Sequence, residues 1–493
     1  MKKRNMKQII SCLLVSTMTV TLLAGCGNSG DKEKDAPKAS TQKASTQAAD
    51  SESKQEEPVE KEPEPVTISV GNWPSADHSS YEKYRLMKET FEAEYPYITI
   101  VPDEYKYGTD TFLAKAASGQ LPNVYTTHFT ECDKIIDAGY ALDITDAFNE
   151  TIYAETSNPD IMELVTRDGR IYGVPYEVYS MGMYYNVALF EEAGLVDENG
   201  VPLFPTTWEE LKDTAITIKE KTGKAGFYFP TSGNHGGWLF TNLAWSYGVE
   251  FETLVDGKWT ATFDSEEAVA ALQYLMDLRW KYDVMPDDVS GDIMAFINMY
   301  GTDQVAMGLC HIPMAKSICS TTGMSKDNMA MSSVPAGPEG KAVQMGGGLF
   351  MVSPETTPEQ LDAILKWLLF RSDSPMTDEA VLANYEATLQ ASVESGYPVG
   401  PGNGLELWVN CDRAEKEAEL RAKYCNVDMN LWTAYTEHAS EGLRAEPPVN
   451  AQELYAALDS VLQEALTNKN ADPQALLSEA AANFQSDYLD SAN

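Results

Sequence analysis

The chain has 493 residues, of which 75 are acidic and 36 basic, and its formal charge is −39 at pH 7. Nucleic acids and anionic lipid headgroups are also negatively charged, so this composition argues against both as partners. The sequence contains no C-x-x-C, P-loop, G-x-S-x-G or H-E-x-x-H motif, and its histidines are widely spaced. We therefore expect a protein without a cofactor, a resident metal or a catalytic centre.

Residues 1–25 have the pattern of a targeting segment, with Lys2, Lys3 and Arg4 preceding the apolar run Ile9–Leu23. This run is too short and too often interrupted by Ser and Thr to span a bilayer. It ends in L-A-G-C, which resembles a bacterial lipobox and implies cleavage before Cys26 and lipidation of its thiol. We expect an exported lipoprotein on the extracytoplasmic face of the cell membrane, touching the membrane through its anchor alone.

Residues 26–65 are predicted to be the lipidated cysteine and a disordered tether, because this stretch has almost no large apolar side chain to bury. A flexible coil of about 39 residues would span on the order of 35 Å. The remaining chain is too long for one hydrophobic core, which predicts two large lobes. Its five cysteines are an odd number, so their pairing stays open.

The folded part opens with a predicted strand, Val66–Val70, followed by a loop, a helix near Tyr81–Tyr95 and a strand at Tyr97–Pro102. Ligands of open α/β sheets bind at the carboxyl ends of strands, which is where this order places Trp73. Trp73 is therefore predicted to contact a ligand; the alternative is that its indole closes the core.

The stretch Val165–Leu195 has the most informative pattern in the chain. Asp168-Gly169 predicts a tight hairpin turn, and Pro175 is expected to stop regular strand pairing. Asn186 and Gly194 are suitable N-cap and C′ residues for a short helix between them. Thr207 and Glu210 then form a predicted capping box for the following helix.

Three motifs here, D-G-x-I-Y-G-V-P, Y-Y-N-x-x-L-F-E-E-A-G-L and P-T-T-W-E-E-L, resemble the signature of maltose-binding-like extracellular solute-binding proteins. The resemblance covers about residues 66–370 and implies an α/β, two-lobe periplasmic-binding-protein-like (type II) fold with a hinge of crossover strands. The implied lobes are 66–178 plus 350–395 and 179–349 plus 396–493. The implied hinge lies at Glu177–Met181 and Gly346–Phe350.

The same resemblance implies ligand contacts at the loop after the third strand, at the crossover and at a position where relatives often place an aromatic residue. The corresponding candidates here are Thr127, His128, Glu177, Tyr179, Ser180, His311 and Gly347. Glu177 could instead be a solvated carboxylate, and the three glycines at 346–348 could face either a ligand or the crossing strand.

A second group of candidates follows the predicted strand Phe227–Pro230. Gly236 and Gly237 would let backbone approach a ligand, with the Trp238 indole above it and Asn234 and His235 beside it. Trp408 is placed at the edge of the cleft, in a C-terminal third that resembles the family weakly.

Flat aromatic rings together with short polar side chains suit the C–H faces and hydroxyls of a sugar. We therefore expect a monomer that captures a carbohydrate, in particular an oligosaccharide, and delivers it to the permease subunits of an ABC transporter. Two alternatives stay open: the same fold binding a peptide, polyamine or other solute, and a surface glycan hydrolase, because carboxylate pairs abound in so acidic a chain.

Overall fold

A computed structural model describes residues 63–78, 80–311, 313–371, 373–377, 379–400, 402 and 405–490. The predicted signal peptide, the candidate lipidation site Cys26 and the tether up to residue 62 lie outside the described residues. No helix in the described part combines the length and the apolar character needed to cross a bilayer. All five cysteines in that part are free thiols.

The described residues contain strands of two to fourteen residues. They are β1 (Val66–Val70), β2 (Ile98–Pro102), β3 (Val124–His128), β4 (Thr166–Arg167), β5 (Arg170–Ile171), β6 (Gly173–Asn186), β7 (Ala225–Tyr228), β8 (Glu252–Val255), β9 (Lys258–Ala261), β10 (Val305–His311), β11 (Met329–Ser332), β12 (Val343–Val352) and β13 (Leu443–Arg444).

Helices connect and cover these strands, and short 3₁₀ and π turns flank several of them. The α-helices are α1 (Tyr81–Glu94), α2 (Thr109–Ala117), α3 (Cys132–Asp137), α4 (Thr145–Asn149), α5 (Tyr153–Thr156), α6 (Pro159–Met162), α7 (Val187–Ala193), α8 (Trp208–Thr222), α9 (His235–Ser246), α10 (Glu266–Met276), α11 (Ile293–Gly301), α12 (Met314–Thr322), α13 (Pro358–Phe370), α14 (Glu379–Glu394), α15 (Asp412–Tyr424), α16 (Thr433–Thr436), α17 (Ala451–Thr467) and α18 (Pro473–Phe484).

The main sheet has the strand order β2-β1-β3-β12-β6-β10-β7, with β11 added to β6 and β13 to β12. Strand β6 pairs with β12 through its first half and with β10 and β11 through its second half. The two long strands β6 and β12 therefore join one set of strands, β1 to β3, to another, β7, β10 and β11. The mixed α/β fold predicted from the sequence is confirmed.

The local predictions in Val165–Leu195 are largely confirmed. Asp168 and Gly169 both have positive φ in the β4–β5 turn, and the Asn186 side chain accepts a hydrogen bond from the Leu189 amide at 3.1 Å. Pro175, however, does not end the strand. It lies inside β6 opposite Leu349, where the pairing shifts by one residue, and such a bulge tolerates the missing amide donor.

The capping box at α8 forms only in part. The Thr207 hydroxyl accepts a hydrogen bond from the Glu210 amide at 3.2 Å, as predicted. The Glu210 carboxylate accepts from the Thr206 amide at 2.8 Å, one residue before the predicted partner. Both hydrogen bonds of a capping box are therefore present at the start of α8, because the Thr206 amide replaces the Thr207 amide as donor to Glu210.

Buried apolar side chains form three separate clusters within the described residues. Two clusters combine residues of 68–178 with residues of 349–408, and the third combines 181–343 with 431–489. The core is thus discontinuous along the sheet, and only β6 and β12 contribute buried residues on both sides of the division.

Candidate functional site

A cavity of about 190 Å³ lies beside the pairing of β6 with β12. Its wall combines the end of β3, the middle of β6 and β12, the first turns of α9 and α17, and the segment between β13 and α17. The lining residues are His128, Tyr179, Gly233, Asn234, His235, Trp238, Gly347, Glu446, Gln452 and Tyr455. Six of these were candidates from the sequence: His128, Tyr179, Asn234, His235, Trp238 and Gly347.

His311 lies behind this wall rather than in it. Its imidazole stacks on the Tyr179 ring, with 4.7 Å between ring centroids and 29° between planes, and it meets the Trp238 indole edge-on at 6.1 Å. Burial lowers the pKa of His311 to about 4, with a smaller contribution from His235. His311 is therefore a neutral ring at physiological pH that fixes the orientation of Tyr179.

Two tryptophans are core residues: Trp73, predicted as a ligand contact at the end of a strand, and Trp408, predicted at the edge of the cleft. The Trp73 side chain is 3% exposed and stacks on Trp367 at 6.2 Å. Trp408 is 9% exposed and packs on Tyr153, with centroids 5.4 Å apart. Both indoles belong to one buried cluster, which combines residues of 68–174 with residues of 350–408, so neither is retained as a ligand contact.

Three further candidates also lie outside the cavity lining. Ser180 is fully buried, and its hydroxyl lies 2.6 Å from the hydroxyl of Tyr435. Thr127 is buried within β3 opposite Leu349. Glu177 has an exposed side chain, and its main chain presses against Gly347. Strand alternation explains the positions of Ser180 and Thr127, since each is next to a cavity-lining residue, Tyr179 or His128, and neighbouring residues of one strand point to opposite faces.

The glycines of this site make room for protein rather than for ligand. A Cβ at Gly237 would lie 2.6 Å from the Cα of Tyr455, and one at Gly236 would lie 2.7 Å from Asp459 Oδ1. The reason predicted for this glycine pair is therefore wrong: it allows α9 to pack closely on α17. Gly347 likewise admits the crossing strand, because a Cβ there would overlap the Glu177 carbonyl.

Asp459 of α17 fixes the start of α9. One of its carboxylate oxygens accepts a hydrogen bond from the Asn234 amide at 2.7 Å, and the other accepts from the Gly237 amide at 2.7 Å. These donors would otherwise be unsatisfied at a helix N-terminus. The Asn234 side chain in turn donates to the Gln452 carbonyl at 3.1 Å. The first turns of α9 and α17 thus form one rigid wall that carries His235 and Trp238.

The carboxylate of Glu446 is the polar centre of this wall. Its Oε1 atom accepts hydrogen bonds from Trp238 Nε1 at 3.0 Å, Tyr455 Oη at 3.1 Å and Gln344 Nε2 at 3.2 Å. Burial raises the pKa of Glu446 to about 7, and the nearby Glu131 adds to this shift, whereas the Tyr455 and Trp238 donors oppose it. The group therefore titrates near neutral pH.

Sequence reasoning missed Gly233, Glu446, Gln452 and Tyr455. Glu446 is one of 75 acidic residues, and no spacing distinguishes it from the others. Tyr455 lies in the first turns of α17, where an aromatic residue is expected to pack in the core. The one available signal was Pro447-Pro448, which indicates a fixed loop just before α17.

An ionic cluster lies beside Gln452, one of the residues that line the cavity. The Tyr107 hydroxyl donates to Glu131, whose fully buried carboxylate lies 3.8 Å from Lys134 Nζ, and Lys134 also pairs with Glu453 at the start of α17. Gln452, which lines the cavity, donates to the Thr130 hydroxyl at 3.5 Å. These contacts link the segment after β3 to α17. No group of His, Cys, Asp or Glu in the described part of the chain could hold a metal ion.

The strand pairing and the cavity together indicate the class of this protein. Two paired strands join separate cores, a cavity lies beside that pairing, and polar and aromatic side chains from several elements face into it. This is the arrangement of an α/β binding protein.

The sequence profile of the bacterial extracellular solute-binding protein family matches residues 75–371. The chain belongs to that family.

Curated relatives are about 25% identical to this chain over the aligned residues. An arabinooligosaccharide-binding protein of Halalkalibacterium halodurans is 26% identical over 205 residues, which are 40% of this chain and 43% of the relative. The match thus spans less than half of that relative. A protein of Brucella abortus, named only as a binding protein, is 24% identical over 411 residues, which are 81% of this chain and 88% of the relative.

Solved structures show the same fold at lower identity. The cyclic alpha-maltosyl-1,6-maltose binding protein of Arthrobacter globiformis has a TM-score of 0.60 and 23% identity, covering 86% of this chain and 98% of the other. A Mycobacterium tuberculosis protein in complex with glycerophosphocholine has a TM-score of 0.63 and 15% identity, with the same coverage. The fold is therefore shared by proteins whose ligands differ in chemistry.

Proposed function

We propose that the protein captures a carbohydrate, in particular an oligosaccharide, in the cavity beside β6 and β12 and delivers it unchanged to an ABC transporter permease. The protein acts as a monomer held to the extracytoplasmic face of the cell membrane through a lipid on Cys26. Membership of the solute-binding family and the sugar ligands named for several relatives support this proposal.

The observation that carries the proposal is the pairing of Trp238 with Glu446 in the cavity wall. The indole offers a flat apolar face, and its N–H orients a carboxylate at 3.0 Å that can accept further hydrogen bonds. Tyr179 adds a second ring at right angles, 6.2 Å from the indole. A saccharide presents apolar C–H faces and a rim of hydroxyls, which match rings and acceptors of this kind.

Capture proceeds by closure of two lobes, 66–178 plus 350–395 and 179–349 plus most of 396–493. The two predicted hinge segments pair directly with each other, with Gly346 opposite Tyr179 and Gly348 opposite Glu177. A ligand that contacts both lobes favours the closed state, because only differential affinity shifts the equilibrium between states. The segment around Trp408 moves with the first lobe, because it packs in that core.

A thermal-shift panel tests the proposal. Oligosaccharides are expected to raise the melting temperature, since a ligand at about 100 times its Kd adds about 2.7 kcal/mol of stability. The Trp238→Ala variant should lose this response, while the matched Trp259→Ala variant on β9, outside the cavity lining, should keep it. Stabilisation by peptides or polyamines alone would favour a non-sugar solute, and cleavage of a glycan by the purified protein would favour a hydrolase.

A further inference from the structure

The charge balance around the cavity restricts the chemistry of its ligand. Among the described residues, no lysine or arginine lines the cavity, whereas the carboxylate of Glu446 does. Two more carboxylates, Glu131 and Glu453, lie behind the adjoining wall, and one cation, Lys134, serves both. The enclosed region therefore carries more negative than positive groups, and burial makes each uncompensated charge costly.

The aromatic side chains around Glu446 offer a second kind of recognition. Trp238 and Tyr179 both line the cavity, and His311 stacks behind Tyr179 as a neutral ring. The π faces of Trp and Tyr attract cations, most strongly where water is excluded. His235 also lines this space, and its buried ring nitrogen Nδ1 has no hydrogen-bond partner among the described residues. The cavity thus combines an acceptor carboxylate, aromatic faces and an unused polar atom.

We propose that the captured solute carries a protonated amino group, as an amino sugar does, and that this group lies between the Glu446 carboxylate and the Trp238 and Tyr179 rings. This inference rests on the proposed capture of a saccharide in the same cavity. The three donors on Oε1 hold the carboxylate in place, so an ammonium group would meet an acceptor whose orientation is already fixed.

Proton linkage distinguishes a cationic ligand from a neutral one. An ammonium group beside Glu446 lowers the pKa of that carboxyl, so binding at about pH 6.5 releases protons, because a group with a pKa of about 7 is then mostly protonated. A neutral sugar that buries the same carboxyl releases none. The other ionisable groups that line the cavity are His128, Tyr179, His235 and Tyr455, with Glu131 nearby and Glu252 beyond Tyr455. Burial raises the pKa values of Glu131, Glu252, Tyr179 and Tyr455, and it lowers the pKa of His128.

The experiment is calorimetry on the full-length chain in two buffers of different ionisation enthalpy. The probes are glucosamine, galactosamine, mannosamine and the β-1,4-linked glucosamine disaccharide, each matched with its neutral parent sugar. Putrescine and spermidine form a further arm for amines that are not sugars. We expect an amino sugar to bind about tenfold more tightly than its parent, with proton release. Glu446→Gln should remove both the difference in affinity and the proton release. Glu252→Gln, which alters a buried carboxylate outside the cavity lining, should preserve both.

Each outcome decides between the two proposals. Equal or tighter binding of the neutral parents, or binding of an amino sugar without proton release, overturns the amine inference and leaves saccharide capture standing. Binding of putrescine or spermidine without any saccharide overturns saccharide capture and retains the amine inference. Failure of every probe, with neutral oligosaccharides also inactive in the thermal-shift panel, overturns both. The proton-release measurement uses the unmodified chain, so it does not depend on how well a variant folds.

Discussion

At the scale of single residues, two buried carboxyls make the stability of the protein depend on pH. Glu252 is 8% exposed, and its one described hydrogen bond comes from the Val449 amide at 3.1 Å. Burial raises the pKa of this group from its ordinary value of 4.5 to about 8. The folded state therefore binds the proton more tightly than the unfolded chain does. The resulting stability is fully present below about pH 4.5 and is lost as the pH rises through 8.

We expect the Glu252→Gln variant to lose less stability than the parent chain between pH 5 and pH 8. The difference should be at least about 1.4 kcal/mol, the equivalent of one pKa unit. Urea unfolding at the two pH values measures it. The Glu446→Gln variant should also lose less stability than the parent chain as the pH rises, but over a lower pH range, because the pKa of Glu446 is about 7. A parent chain that becomes more stable toward pH 8, with Glu252→Gln unchanged, contradicts this account.

At the scale of elements, the site depends on how closely α9 and α17 approach. Gly237 and Tyr455 are in direct backbone contact, and Asp459 caps α9 from α17. A methyl group at position 237 would push the two helices apart, because helix backbone cannot yield as a flexible side chain can. The displaced helices carry Trp238 and Tyr455, two of the donors to Glu446.

We expect Gly237→Ala to lower the free energy of unfolding by about 1–3 kcal/mol and to weaken ligand binding at the same time. The matched variant is Gly108→Ala at the N-cap of α2, where an added Cβ meets only the Thr111 side-chain oxygen, at 3.1 Å. That change should cost less than about 1 kcal/mol and leave binding intact. Full binding by Gly237→Ala would show that the helix contact does not position the site.

At the scale of the whole molecule, the segment after β3 and the start of α17 meet beside the cavity. The Lys134–Glu453 ion pair belongs to this contact and joins elements of the two proposed lobes. Side-chain exposure of 21% and 18% leaves the pair partly screened by solvent, so its contribution is modest. A contribution of this size can shift the equilibrium between open and closed states, but it is too small to determine whether the protein folds.

We expect Glu453→Gln to increase the radius of gyration of the unliganded protein in solution scattering and to reduce ligand affinity two- to fivefold, about 0.5–1 kcal/mol. The matched control is Glu441→Gln, which removes an exposed pair with Lys341 at 2.8 Å, away from the cavity lining. An identical scattering profile for all three chains, with and without ligand, would refute closure of the lobes.

The sequence by itself determined the elements and the family. Strand alternation, caps such as Asn186 and turn residues such as Asp168 act through neighbours in the chain, so the printed residues are enough to predict them. The ordered motifs between Asp168 and Leu211 predicted the family, which the profile match confirmed. Six residues that line the cavity were also candidates from the sequence: His128, Tyr179 and Gly347 through the family resemblance, and Asn234, His235 and Trp238 through the segment that follows the predicted strand Phe227–Pro230.

Only the tertiary structure decided which aromatic and acidic residues face the cavity. Trp73 and Trp238 both follow predicted strands, but Trp73 is covered by Trp367 and Trp238 is not, and this difference depends on helices far away in sequence. Glu446 became part of the site because α9 and β12, whose donors Trp238 and Gln344 lie 208 and 102 residues away in sequence, meet it beside the start of α17. Local patterns carry no information about such convergence, because it arises from packing between distant segments.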